Sequence, residues 1–273
     1  MHPTLFTFEA FGRTIPYYSY GAMLAVAFLL GTMLAAWNSR REGVASERVV
    51  TLSILILLSA LLGSRILHVL MADNPGGGIL STQSGGFAFY GGLLGGIAVS
   101  ILYCRYHKIP FLLMADTMLP SLALGQGLGR LGCLLAGCCW GRAAESPLPG
   151  WLPGVSGIHW PDSLAITFMH PDSLAQRGIA LVPTQIASSI SCFLIFAVLW
   201  FVVRPRKTFR GQLLAVYLLM YPVLRSFWEL FRGDPRGLYL GETLSTSQLV
   251  SIPMLGCGAW LMWRGLKQAP AKT

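Results

Sequence analysis

Three arginines stand in segments that are otherwise almost free of charge: Arg65 in GSRILHVL, Arg130 in GQGLGRLG and Arg225 in LRSFWELF. At bilayer depth an arginine costs about 2.5–3.5 kcal/mol on insertion scales, so each must be neutralised or must serve a site. Arg225 and Glu229 are spaced i, i+4 and share one helix face, where an ion pair would ease insertion. Glu229 is by the same spacing an orienter of that guanidinium and a candidate base. Arg65 and His68 form an i, i+3 couple with no acid nearby. Arg130 has only Asp116 in its own segment, roughly four turns away in a helix of about 3.6 residues per turn. An external anion is the better partner. A lipid phosphate is the anion that a membrane supplies, and the planar guanidinium fork suits bidentate phosphate recognition.

The surroundings of these arginines are rich in glycine. Gly125, Gly129 and Gly132 fall near one face of the helix that carries Arg130. They would let either a neighbouring helix or a lipid headgroup approach the backbone, and both readings stay open. In GGFAFYGGLLGG, residues 85–96, Tyr90 precedes the pair Gly91 and Gly92, which could open a helix end and present free N–H groups to a phosphate. Of the six cysteines, Cys104, Cys192 and Cys257 sit singly in or beside apolar segments and read as small packed side chains. Cys138 and Cys139 are adjacent, close to Cys133. A strained disulfide, a reactive thiol and plain packing are the alternatives. No histidine flanks them at ligand spacing, so no metal is expected.

Positioning these groups is the work of membrane helices. Of the 273 residues 54% are hydrophobic and 11% charged, against roughly 25% charged in soluble domains. Seven apolar segments of about 20 residues can be marked off: residues 18–37, 49–71, 87–103, 111–140, 184–203, 211–231 and 247–263. The fourth is long and glycine-rich, and is expected to be tilted, broken or partly re-entrant. The first lacks a small-residue cleavage site and reads as a retained span. With the amino terminus outside, 12 basic residues fall in cytoplasmic segments and five in the opposite loops, which fixes that orientation and puts the carboxyl terminus inside. The net charge of +9 is therefore scattered over short loops and gives no basic face for nucleic acid. Residues 141–182, with five prolines, read as a small extracytoplasmic loop or cap. The expected fold is an all-α polytopic membrane protein, one domain over residues 1–273.

An ordered set of motifs adds a resemblance. HPTLFTF near the start, YGAML at Tyr20, GSR at Arg65, FYGGLLGG around Tyr90, GRLGCLLAGCCWGR from Gly129, PTQ ending at Gln185 and LRSFWELFRGDPRG from Leu224 together resemble the bacterial prolipoprotein diacylglyceryl transferases. The resemblance covers nearly the whole chain. It implies a multi-pass enzyme of the bacterial cytoplasmic (inner) membrane, with no cofactor. Such an enzyme moves a diacylglyceryl group from phosphatidylglycerol to the lipobox cysteine thiol of a prolipoprotein, leaving a thioether and releasing glycerol phosphate. The bilayer, phosphatidylglycerol and the prolipoprotein signal peptide are then the partners. By position, Arg130 and Arg225 match the family's phosphate-holding arginines and Glu229 the acid paired with the latter, with Tyr90 completing the catalytic set. Tyr20, Arg65, Gly91, Gly92, Cys133, Gly141 and Gln185 are expected to contact the substrates.

The chain differs from the family pattern on the side where a base is needed. Tyr90 stands where the signature has histidine, Cys133 where it has asparagine, and Val182 where it has histidine before Pro-Thr-Gln; Ala187 and Ser188 occupy further positions that are usually polar. Three readings follow: a transferase of the usual kind using Glu229, a phosphate oxygen or Tyr90; a divergent member lipidating another acceptor; and a non-enzymatic lipid-binding or lipid-moving protein.

Overall fold

The computed structural model describes residues 2–10, 13–71, 89–146, 159–233, 238–239 and 244–268. The loop expected at 72–86, most of the proline-rich stretch after Ser146 and the GDPRG turn beyond Gly233 lie outside them. Seven long helices carry the fold: α1 (Ser19–Ser39), α2 (Ser46–Met71), α3 (Phe89–Tyr106), α4 (Phe111–Ala136), α5 (Thr184–Ala197), α6 (Gln212–Glu229) and α7 (Thr246–Gln268). Five are long and apolar enough to cross a membrane: α1, α2, α4, α7, and α5 taken with its continuation to Arg206. That continuation is a π turn at Val198–Val203 followed by a short 3-10 turn.

Two details differ from expectation. The fourth segment is one unbroken helix despite its glycines and Pro120. It stops at Ala136, four residues short of the apolar run, because Gly137 takes a left-handed conformation (φ +71°) that a helix cannot continue. The chain also opens with an antiparallel hairpin, β1 (Thr4–Ala10) with β2 (Arg13–Tyr18), where only a terminus was expected. Threonine and aromatic residues, types enriched in strands, make up much of it.

The chain divides into two compact units, residues 32–118 and residues 1–31 with 119–273. Residues 32–118 contain α2 and α3, packed backbone to backbone. A Cβ on Gly91 would strike the Gly63 carbonyl oxygen, one on Gly95 would lie 2.6 Å from Ser59 O, and one on Gly92 3.0 Å from Ala60 O. A core of Ala35, Val44, Val49, Leu52, Cys104 and Met114 packs beneath the turns that follow α1 and α3. Asn38 donates to Thr117 O (2.9 Å) inside it.

In the other unit α4, α5, α6 and α7 pack together. Gly258 of α7 meets Leu218 and Ala215 of α6. Among the described residues of 141–182, β3 (Ile166–Thr167) pairs with β4 (Ala180–Leu181) over a core of Phe168, Ala175 and Leu181. Large apolar side chains point outward along the helices, among them Leu29, Met33, Leu58, Leu62, Leu94, Leu102, Ile190, Phe201 and Ile252. So much exposed aliphatic surface belongs against lipid. At the carboxyl-terminal ends of α1, α5 and α7, cations lie over indole rings: Arg41 on Trp37, Arg204 on Trp200 (3.9 Å) and Lys267 on Trp263 (4.0 Å). Such pairs suit the membrane–water boundary.

Candidate functional site

The two arginines of α4 and α6 meet. Arg130 and Arg225 line one cleft together with Ser188, Ser191, Cys192 and Ile195 of α5 and Tyr221, Leu224 and Trp228 of α6. Each helix contributes an i, i+3, i+4, i+7 stripe, the spacing that puts four side chains on one face. Hydrogen bonds between helices set the walls. Ser189 Oγ donates to Gly127 O (2.8 Å), Tyr217 OH to Gln126 Oε1 (2.9 Å) and Trp228 Nε1 to Ser191 Oγ (2.8 Å). In a membrane each is worth roughly 0.6 kcal/mol, so they contribute alignment more than bulk stability. Gly127 is required here, since a Cβ would lie 2.5 Å from the Phe193 ring. The cleft holds about 20 Å³, room for roughly one water-sized group.

Arg225 donates from Nη1 to Glu229 Oε2 in the expected i, i+4 ion pair, and Glu229 is 7% exposed. Arg232, just past the end of α6, adds a third guanidinium close enough to repel both Arg130 and Arg225. Three mutually repelling cations, of which Arg225 is paired with the buried Glu229, make a region suited to anions.

Beside Arg130 the chain folds back on itself. The end of α4 is a Schellman turn, with Gly137 N–H to Leu134 O (3.2 Å) and Cys138 N–H to Cys133 O (3.0 Å). Cys139 then adopts φ +60°, rare and strained for a residue with a Cβ. The next residues run between two other segments: Gly141 donates to Val182 O (3.1 Å) and Arg142 to Phe231 O (2.9 Å). Gly141 cannot be larger, because a Cβ would strike Val182 O on one side and Phe231 O, at 2.9 Å, on the other. The start of α5 holds the turn from below: Gln185 Nε2 donates to Cys138 O (2.9 Å) and Thr184 Oγ1 to Cys139 O (2.8 Å).

The result brings three sulfurs, those of Cys133, Cys138 and Cys139, within 4.8 Å of one another. Beyond the end of α4, the Cys139 thiol is held well below the usual thiol range. Hydrogen bonds from Cys133 and Cys138 are the main cause; the Arg232 and Arg130 cations add to them, and burial opposes them. Tyr20 of α1 lies against this cluster, and Gly132 makes room for its ring: a Cβ there would be 3.2 Å from Tyr20 Cδ2.

Of the residues expected to act, Arg130, Arg225 and Glu229 thus share one region, with Tyr20, Cys133, Gly141 and Gln185 around the adjoining turn. The glycines at 125, 129 and 132 face α1, with Ala27, Leu24, Tyr20 and Met23 as neighbours, so of the two open readings the helix contact is the one seen. Residues 32–118 hold the others. Arg65 is buried in α2. Tyr90 is the second residue of α3, its ring edge-on to Phe89 (5.6 Å). Gly91 and Gly92 sit in the first turn, where backbone N–H groups lack helical partners, and both press on α2. Ser191, Tyr221, Trp228 and Arg232 were not singled out in advance. The two i, i+3, i+4, i+7 stripes were the signal that could have found the first three.

Fold and cleft define a helical membrane protein that keeps buried charge between its helices. The family model described as prolipoprotein diacylglyceryl transferase matches residues 7–264. The chain is 36% identical to the phosphatidylglycerol–prolipoprotein diacylglyceryl transferase of Clostridium tetani, over 92% of this chain and 93% of that one. It is 35% identical to transferase 2 of that name from Clostridium perfringens, over 90% of each chain. To the Finegoldia magna enzyme it is 30% identical, over 96% of this chain and 95% of the relative. The chain belongs to the prolipoprotein diacylglyceryl transferase family.

Proposed function

We propose that this protein transfers the diacylglyceryl group of phosphatidylglycerol to the lipobox cysteine of a prolipoprotein, forming a thioether and releasing glycerol phosphate. The observation that carries this reading is the shared cleft of Arg130 and Arg225, with the second arginine aligned by Glu229. The reaction breaks a carbon–oxygen bond to phosphate, and the departing phosphate gains one negative charge relative to the phosphodiester. Cations poised there interact more strongly with the transition state than with bound lipid, which is what lowers a barrier. Low dielectric between the helices strengthens that difference.

In this scheme Arg130 and Arg225 hold the phosphate oxygens. Glu229 fixes the Arg225 fork and is the carboxylate that takes the thiol proton. Tyr90 donates a hydrogen bond to a phosphate or glycerol oxygen without losing its own proton. Arg65, Gly91 and Gly92 contact the lipid headgroup, while Tyr20, Cys133, Gly141 and Gln185 contact the acceptor side. The cleft is smaller than a glycerophosphate, so side chains along the α5 and α6 stripes move aside as lipid enters. Seven spans, the amino terminus outside and residues 141–182 as an outer cap follow the charge count and put the chemistry at the outer face of the bacterial inner membrane. The aromatic–cation pairs at the ends of α1, α5 and α7 support that orientation.

Complementation tests this reading. Expressed in a bacterium depleted of its own transferase, the chain is expected to restore growth and the mobility shift of lipidated lipoproteins. Growth failure, with the protein present in membranes and prolipoprotein accumulating, would overturn it.

A further inference from the structure

We propose that Cys133, Cys138 and Cys139 form a three-thiolate site for a zinc ion whose open position takes the sulfur of the acceptor cysteine. The second half of this statement rests on the transferase reading; the first does not. The three sulfurs already lie within 4.8 Å of one another. Around one zinc with Zn–S bonds of about 2.3 Å, sulfurs sit about 3.8 Å apart, a spacing that small side-chain rotations reach from here. No fourth cysteine, histidine, aspartate or glutamate joins the group among the described residues. Four protein ligands mark structural zinc, whereas three with one position left open mark zinc that handles a substrate.

The backbone is built around the cluster. The Schellman turn returns Cys138 to Cys133, and Cys139 is held in a strained left-handed conformation that a glycine would adopt freely. Thr184 and Gln185 pin the carbonyls of Cys139 and Cys138. Three thiolates around Zn²⁺ carry one net negative charge, and Arg130 and Arg232 stand close enough to offset it. A second feature points to an occupant. Gln185 is 1% exposed, and its Oε1 has no hydrogen-bond partner although its Nε2 holds Cys138 O. That oxygen is an acceptor for the N–H of a bound segment.

The chemistry matches what the chain needs. Where the family pattern has histidine, this chain has Tyr90, a poor base at neutral pH. A thiol that coordinates zinc loses its proton on binding, the proton passing to Glu229, and remains a nucleophile. The metal-held sulfur then forms the carbon–sulfur bond to the glyceryl carbon. The carbon–oxygen bond breaks, and its electron pair leaves with the phosphate oxygen toward Arg130. No electron is transferred to or from the metal.

The test uses the full chain, purified in detergent with reductant and without chelator. Elemental analysis is expected to find about one zinc per chain, falling to background in Cys133→Ser, Cys138→Ser and Cys139→Ser, each checked for a wild-type elution profile. Exchange with Co²⁺ should give the intense thiolate-to-cobalt absorption in the near ultraviolet, and a lipobox peptide should change the visible cobalt bands. The same peptide with serine for cysteine should not. Metal-free wild type after incubation with Zn²⁺, equal zinc in the triple serine variant, a disulfide between any two of the three sulfurs in native membranes, or cobalt bands indifferent to the peptide would each overturn the proposal. Metal content is read without turnover, so a wild type that holds zinc but fails complementation would sink the transferase reading and leave the metal site standing.

Discussion

The α2–α3 pair and the α4–α5–α6 group are both glycine-rich, apolar and interrupted by arginine, yet glycine does different work in each. Between α2 and α3, Gly63, Gly91 and Gly95 let one backbone touch another, so close that an added Cβ would meet carbonyl oxygen. Around Arg130, Gly125, Gly129 and Gly132 of α4 bring no neighbouring helix's backbone closer than 3.6 Å to an added Cβ. Gly127 yields to the Phe193 ring, Gly132 to Tyr20 and Met23, and Gly125 and Gly129 have only ordinary contacts. Polar side chains, Ser189, Tyr217 and Trp228, supply the cohesion there. A helix pair that needs no interior space can join main chain to main chain. A group that must hold charge between its helices is spaced by side chains instead, and hydrogen bonds keep it in register.

The largest expected effect lies at the charge itself. Arg130→Ala should lower the rate of lipobox-peptide lipidation in phosphatidylglycerol proteoliposomes by about a hundred- to a thousandfold, the cost of removing one preorganised donor to a developing anion. Arg130→Lys should recover only part, because an ammonium lacks the bidentate fork. If Arg65→Ala, in the other region, loses as much as Arg130→Ala, the contrast between the two regions fails as an account of where phosphate is held.

Next come two substitutions of about equal weight. Glu229→Gln keeps shape and removes the charge that aligns Arg225; a fall of about ten- to a hundredfold corresponds to about 1.5–3 kcal/mol for a charge-assisted bond. Wild-type turnover in that variant would mean Arg225 is aligned without Glu229. Tyr90→Phe should lose a similar amount, while Tyr90→His should preserve or raise activity. Wild-type protein that is inert in proteoliposomes, with Tyr90→His alone active, would return the assignment to a different acceptor or to a non-enzymatic role.

Gly91→Val tests the α2–α3 side. Its Cβ would strike the Gly63 carbonyl and sit 2.6 Å from Leu67 Cβ. Overpacking of this kind costs about 1–3 kcal/mol, read as a lower thermal midpoint in detergent. An unchanged midpoint would show that the helices separate there at no cost.

The helices were legible in the sequence because lipid imposes one length and one composition on every span. Arg130, Arg225 and Glu229 were legible because charge inside an apolar run is expensive and must be explained. Glycine was not, since GQGLGRLG and FYGGLLGG both place glycines three or four residues apart while the partner surfaces differ. The amino-terminal hairpin was not legible because no Asn-Gly or Asp-Gly pair stands between its strands to signal a turn. That the Cys133 sulfur meets those of Cys138 and Cys139 was not legible, for a geometric reason. Residues five and six apart lie on different sides of a straight helix, and only the Schellman turn after Ala136 brings them together.

The smallest effect is the most discriminating for the contrast of glycines. Gly129→Ala adds a methyl that would stand 3.8 Å from Leu24 Cδ2, ordinary van der Waals distance, in the middle of α4. Nothing in its backbone conformation demands glycine, for it lies within a regular helix and is absent from the residues with positive φ. Replacing a helical glycine by alanine lowers the conformational entropy lost on folding and is worth about 0.5–1 kcal/mol. The midpoint of thermal unfolding in detergent should therefore rise slightly, opposite in sign to Gly91→Val. A fall of similar size in both variants would show that α1 sits on α4 as tightly as α3 sits on α2. The glycines beside Arg130 would then be packing devices of the same kind, and side-chain spacing would no longer explain why the cleft forms there.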